Sequence, residues 1–193
     1  MTVPGFADAT DGDLAVLIAD GPAQAAGVFS GEANAVLWTR QVVHDGGLRV
    51  VVLDPRVADD DLVVGPAGFQ HVHAVAEQVA ERHGIGAIDV AVLPGPAHPP
   101  VCREYAGCRL AALATDHGVV LLTDGALPAP DLAAALAQAL DSVPWAERGA
   151  LLLASGASAI RPGVADLAAA LADLLDSLPT PASTSSHEST VHA

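Results

Sequence analysis

Arg109-Leu110-Ala111-Ala112-Leu113-Ala114-Thr115 is followed, after Asp116-His117-Gly118, by Val119-Val120-Leu121-Leu122-Thr123-Asp124. Both runs are short, apolar and free of proline, and a polar break with glycine separates them. They read as two paired strands of a buried sheet. The first run ends on a hydroxyl directly after a small residue, Ala114-Thr115.

Working outward, the flanking segments alternate between the two kinds of element. Downstream, Asp131 to Asp141 reads as a helix with Asp131 as its cap. Ala150 to Ala154 reads as a buried strand, and Val164 to Ser177 as an amphipathic helix. From Pro179 the chain turns to Pro, Ser, Thr and His, which reads as a disordered tail over 179–193. Upstream, Pro94 to Pro100 is a rigid loop and Ile88 to Leu93 a strand. Pro66 to His83 is the strongest helix. Phe69, Val72, Ala76, Val79 and Ala80 form its stripe, Pro66 suits the first turn and Gly84 the stop. Asp59-Asp60-Asp61 is an acidic, solvated turn. Leu48 to Leu53 is a strand bounded by Asp54-Pro55. Ala35 to Val43 is a helix that Asn34 caps and Gly46-Gly47 stop. Leu14 to Ala19 and Ala25 to Phe29 are two short strands parted by the turn Asp20-Gly21-Pro22. Strands alternating with helices predict one α/β domain over residues 1–178.

The composition narrows the function. The chain has 193 residues, 51% of them hydrophobic but only 3% aromatic, so its core must be Ala, Val and Leu. Lys+Arg number 8 against Asp+Glu 23, a net charge of -15, and every basic residue is arginine. That balance repels phosphate backbones and anionic lipids, so neither nucleic acid nor a membrane is an expected partner. The N-terminal stretch lacks the pattern of a signal peptide. Two cysteines, Cys102 and Cys108, do not make a disulfide framework. The expected location is the cytoplasm. His71 and His73 lie two apart on a helix and face different ways, so they cannot pair as metal ligands. Ser155-Gly156-Ala157-Ser158 follows a strand but lacks the Gly-x-Ser-x-Gly frame of a nucleophile elbow. Neither a glycine-rich phosphate loop nor a Cys/His zinc spacing is found, and no metal or cofactor is expected.

Several blocks are similar, in order, to the ornithine acetyltransferase family. They are Asp13 to Leu17 with Ala25 to Phe29, Val36 to Val42, Leu48 to Leu53, Gly65-Pro66-Ala67-Gly68-Phe69-Gln70 running into His73-Ala74, and Asp89 to Val92. Leu121 to Asp124 and Leu151 to Ser158 follow. The resemblance implies a mixed-sheet α/β sandwich of the ornithine acetyltransferase and self-processing aminopeptidase type, in a shortened form. It implies acetyl transfer from N-acetylornithine to glutamate in arginine biosynthesis, without a metal. It also implies self-cleavage before a threonine, here between Ala114 and Thr115. A threonine hydroxyl needs a base to become nucleophilic, and the amine freed by cleavage can supply one. His73 matches a family histidine that is structural.

The chain departs from that family at its reactive parts. The family's oxyanion turn holds a threonine hydroxyl and a glycine N–H, whereas Leu93-Pro94-Gly95-Pro96 leaves only Gly95 at that position. Losing one such donor costs about 3 kcal/mol of barrier. The family lysine before the nucleophile has no counterpart, and Arg103 or Arg109 would have to stand in for it. One residue is inserted after Thr115, and the other register puts Gly107-Cys108 at the cleavage position. Thr115 is preferred because Leu110, Ala111, Leu113 and Ala114 then fit. His98 and His117 are the candidate general bases. Two functions are therefore expected. One is a compact acyltransferase acting on a small amino-acid substrate. The other is a catalytically silent member that binds a metabolite, or pairs with a copy of itself or with a full-length relative.

Overall fold

The computed structural model describes residues 3–95, 99–115, 118–143 and 149–179. In chain order the elements are β1 (Phe6–Asp11), β2 (Leu14–Val28), α1 (Asn34–Val42), β3 (Gly47–Asp54), α2 (Asp60–Val63), α3 (Gly65–His83), β4 (Val90–Pro94), β5 (Val101–Tyr105), β6 (Cys108–Thr115), β7 (Gly118–Thr123), α4 (Ala129–Leu140), β8 (Ala150–Ala154) and α5 (Val164–Asp176). The strands form one mixed sheet in the order β4-β3-β2-β8-β7-β6-β5, with β1 also on β2. β3 and β4 run parallel, as do β7 and β8, and the remaining pairs are antiparallel.

β2 is the spine. Its first half pairs with β1 and β3, and its second half with β8. The two short strands expected here are one strand of 15 residues. Asp20-Gly21-Pro22 does not end it. The register on β3 shifts between Ile18 and Ala23 instead. Pro22 has no N–H to give, and such a residue is tolerated where the ladder is already interrupted.

The sheet folds over itself around that spine. β4 and β6 stand five strand spacings apart in the order, roughly 24 Å in a flat sheet. Yet Leu93 and Pro94 of β4 line one cleft together with Thr115 of β6. Burial shows the same layering. Ala111, Leu113, Val120, Leu122, Leu151 and Leu153 join the core of β3 and β4, whose outer face carries α1 and α3. The alternate residues, among them Leu110, Ala112, Ala114, Leu121 and Leu152, pack under α4 and α5. The result is a sandwich of helix, sheet, sheet and helix layers, with alternation along β6 to β8 sorting side chains between two cores.

α3 forms where expected. Pro66 occupies the first turn, and Gly84 ends the helix in the left-handed region at φ 64°. Phe69 is not on its buried stripe. It is 42% exposed, and Val75 is buried instead. Asn34 does not cap α1 but is its first residue, and its side-chain amide donates to the carbonyls of Leu62 and Gly65. Asp131 likewise sits inside α4, behind Pro128, and pairs with Arg161 at 3.0 Å. Asp59 leads into α2 rather than an open turn. Ile88 lies in a short 3₁₀ turn before β4 and is exposed. α1 also closes one sheet edge. Trp38 Nε1 donates to the Val90 carbonyl and Thr39 Oγ1 to that of Val92, both at 2.9 Å. An edge strand whose carbonyls are already engaged offers less to a foreign strand.

Candidate active site

Thr115 is the last residue of β6 and pairs with Gly118, the first of β7. It shares the parity of Ala111 and Leu113, so its side chain turns toward the space between the two sheet layers. Ala114 has the opposite parity and is buried under α4 and α5. The Ala114–Thr115 peptide is therefore held at the boundary of both cores. Thr115 is 2% exposed, and its Oγ1 donates to the Gly118 carbonyl at 3.2 Å.

The space in front of Thr115 is a small open cleft whose enclosed part, about 20 Å³, has room for about one water. Gly118 and Val119 of β7, Gly149 to Leu151 at the start of β8, and Leu93 and Pro94 of β4 line it. Phe29 and Val36 line it as well. Gly149 holds φ 89°, and a Cβ there would come within 3.1 Å of the Val28 carbonyl, so only glycine suits that corner. The expected oxyanion position lies at the end of β4. Pro94 reaches the cleft without an N–H to offer, and Gly95 follows it, leaning on Pro55.

Cys108 stands at the opposite end of β6, seven residues from Thr115 and roughly 23 Å along the strand. The two candidates cannot serve one site. The Cys108 thiol is buried, and burial pushes its pKa up. The Asp124 charge pushes the same way, and a hydrogen bond with Ser158 offsets part of the rise. A thiol held protonated is a poor nucleophile. Arg109 and Arg103 share that far end, where Arg109 lies 3.8 Å from Glu104 and Arg103 pairs with Leu110. Neither supplies a charge beside Thr115. Cys102 is exposed and, like Cys108, free. His98, Asp116 and His117 lie outside the described residues.

Other hydroxyls and carboxylates have structural duties. Ser155 Oγ donates to the Pro4 carbonyl at 2.8 Å. Thr123 Oγ1 accepts from the Gly125 N–H, and Asp124 from the Arg109 N–H. His73 packs edge-on against Trp38, with ring centroids 5.2 Å apart, and lies 3.4 Å from Glu77.

One cluster escaped the sequence reading. Asp54, fully buried at the end of β3, accepts from the backbone N–H, Nε and an Nη of Arg56, and lies 2.8 Å from His71 Nε2. Burial raises the Asp54 pKa, but the hydrogen bonds from Arg56 and His71 outweigh it and hold the carboxyl below the usual range. The carboxylate can only accept, so His71 carries its proton on Nε2. Asp54 pairs in register with Pro94, so this cluster anchors the strand end that bounds the cleft. An aspartate closing an apolar strand, with an arginine two residues on, was the available signal. His71, 17 residues away, was not a partner the sequence could name.

No family model matches the chain. Among curated proteins, the arginine biosynthesis bifunctional protein ArgJ of Mycolicibacterium paratuberculosis is 33% identical over 202 residues, covering 93% of this chain and 46% of its own. The Streptomyces coelicolor ArgJ is 41% identical over 92 residues, covering 46% of this chain and 24% of its own. The chain belongs to the ornithine acetyltransferase family. It spans less than half the length of these curated ornithine acetyltransferase relatives. Among solved structures, ornithine acetyltransferase from Mycobacterium tuberculosis, in complex with ornithine, is 34% identical, with a TM-score of 0.40 over 50% of this chain and 58% of its own. Membership brings the cleft at Thr115 and the departures at Leu93-Pro94-Gly95 into one question, namely what chemistry survives there. Among the described residues no three His, Cys, Asp or Glu side chains gather as a metal site. No described helix is long and apolar enough to cross a membrane.

Proposed function

We propose that the chain is a threonine-dependent acyltransferase of the ornithine acetyltransferase type. In the first step Thr115 Oγ attacks the Ala114 carbonyl carbon, the peptide becomes an ester, and water releases a new N-terminal Thr115. In the second, the Thr115 amine takes the hydroxyl proton and Oγ accepts an acyl group, which an amino acid then receives. N-acetylornithine as donor and glutamate as acceptor are the substrates that family membership suggests. A cytoplasmic location belongs to the same proposal. The observation that carries this reading is the shared cleft, where the Thr115 hydroxyl and the end of β4 meet although their strands are five places apart. Gly95 is the position whose N–H would meet the developing oxyanion. The test is the intact mass of the purified chain. Two fragments divided before Thr115, with acetyl transfer from N-acetylornithine, are expected; one full-length mass and no transfer would defeat the proposal.

A second reading has its own support. Pro94 brings no donor to the cleft, and the Thr115 hydroxyl is already committed to the Gly118 carbonyl. A catalytically silent member would keep the sandwich and bind a small amino-acid metabolite, or pair with a second copy or a full-length relative. It predicts an unsplit chain that still associates or still binds an amino acid. A monomer in light scattering, with no heat of binding for ornithine or glutamate, would end it.

A further inference from the structure

Thr115 stands where β7 begins; at the other end of that strand, β7 and β8 finish side by side and α4 and α5 follow. There Pro22 and Gln24 of β2, the turn before α4, the turn after β8 and Arg161 line an open groove of about 430 Å³. That volume falls in the range of small-molecule sites. Every residue next in the chain to its lining is described. We propose that this groove is a second binding site, for a small α-amino acid with an apolar side chain. The inference does not depend on Thr115 being a nucleophile.

The charges at the groove select the head group. Arg161 lines it and is paired with Asp131 at 3.0 Å. Both side chains reach solvent, and an exposed pair of this kind is weak enough to open. A bare carboxylate that took Arg161 would leave Asp131 unpaired beside it, and a bare amine that took Asp131 would leave Arg161. A zwitterion answers both at once, its carboxylate on the guanidinium and its ammonium on the Asp131 carboxylate. The start of α4 adds no pull of its own on an anion. Its Ala129 N–H is given to Gln24 Oε1, Pro130 has no N–H, and Asp131 and Leu132 donate to the Pro128 carbonyl. Gln24 keeps its amide nitrogen as a donor to the ligand.

The rest of the lining selects the side chain. Pro22, Leu127, Pro128 and Ala154 present side chains of carbon alone. Ser155 is already committed, donating to the Pro4 carbonyl and accepting from the Ala157 N–H. With Arg161 and Asp131 engaged by the head group, a second charge on the ligand would lose hydration here and find no partner in the lining. A hydrocarbon side chain gains by leaving water.

The test titrates the whole purified chain with L-leucine, up to its solubility, and follows backbone amide shifts by NMR. Shifts should centre on Gln24, Leu127, Gly156 and Arg161. Isocaproate, which lacks the ammonium, and isoamylamine, which lacks the carboxylate, should each bind about fivefold more weakly. L-alanine should bind about tenfold more weakly, since the open groove covers only part of the longer chain. Arg161→Ala and Asp131→Ala should each weaken leucine binding about fivefold, while Thr115→Val should leave it unchanged. Absence of leucine shifts at the groove overturns the proposal, and so does binding that both variants leave intact. Shifts centred on Leu93 and Val119 would place the ligand in the Thr115 cleft and overturn it too. Glutamate or ornithine bound at the groove as tightly as leucine would overturn the apolar class.

Discussion

Thr115 Oγ1 donates to the Gly118 carbonyl at 3.2 Å, so the hydroxyl at the end of β6 is tied to the first residue of β7. The bond is long, and it uses the proton rather than the lone pairs. The oxygen remains an electron-pair donor in a cleft whose other described side chains are apolar. Thr115→Val keeps the shape and removes the hydroxyl. It should cost about 1 kcal/mol of stability and abolish any cleavage before residue 115. Thr115→Ser should keep both. Intact mass and urea unfolding on the three proteins check this, and a Thr115→Val chain that still splits would exclude the residue as nucleophile.

The cysteines give a second prediction. Cys102 is exposed on β5, while Cys108 is buried and its thiol is pushed up by burial and by Asp124. Iodoacetamide at neutral pH should label Cys102 in the native chain and reach Cys108 only after unfolding. Cys108→Ala should cost about 1 kcal/mol as a small cavity and leave cleavage and acyl transfer intact. Peptide mapping after a short labelling pulse is the measurement. Rapid native labelling of Cys108 would revive the other register.

How much of this was legible depended on which forces act locally. α3 was readable because Pro66, Gly84 and a 3.6-residue stripe lie within one segment. β6 and β7 were readable because both are buried on two faces and therefore continuously apolar. β1 and β5 were missed because they are largely exposed and carry little apolar signal. The bend of β2 was misread because Asp20-Gly21-Pro22 has the same composition whether a strand ends or shifts register. The cleft itself was out of reach. Thr115 was named from its neighbours in the chain, but Leu93, Phe29 and Val36 meet it only because the sheet folds over.

Gly68 gives a third prediction. A Cβ added there would collide with the Leu62 carbonyl and with the Asn34 amide that bridges Leu62 and Gly65. The Leu62 obstacle is backbone and cannot rotate away. Gly68→Ala should therefore destabilise the chain by about 2 to 3 kcal/mol through overpacking, although alanine is the better helix former. Asn34→Ala, which removes two hydrogen bonds without a collision, should cost about 2 kcal/mol. The midpoint of urea unfolding measures both, and a more stable Gly68→Ala chain would show that the contact between α1 and the start of α3 is looser than described.

Asp54 links stability to pH. Its carboxyl is buried, which by itself raises the pKa, but hydrogen bonds from Arg56 and His71 prevail and lower it in the folded chain. A folded pKa below the unfolded one means that the unfolded state binds the proton first. The resulting stability is complete above the unfolded value, about 4 for an aspartate. It is lost as pH falls through the lower folded value, when the carboxylate takes a proton and stops accepting from Arg56 and His71. Asp54→Asn keeps the size and removes the charge. It should cost about 2 kcal/mol at neutral pH, below the figure for a fully buried pair because Arg56 is half exposed. It should also flatten the acid arm of the stability curve. Because Asp54 pairs with Pro94, loosening this cluster should slow acyl transfer at the cleft as well. Urea midpoints of both proteins from neutral to strongly acid pH decide the matter: two parallel acid arms would show that the Asp54 carboxylate is not what holds the end of β3.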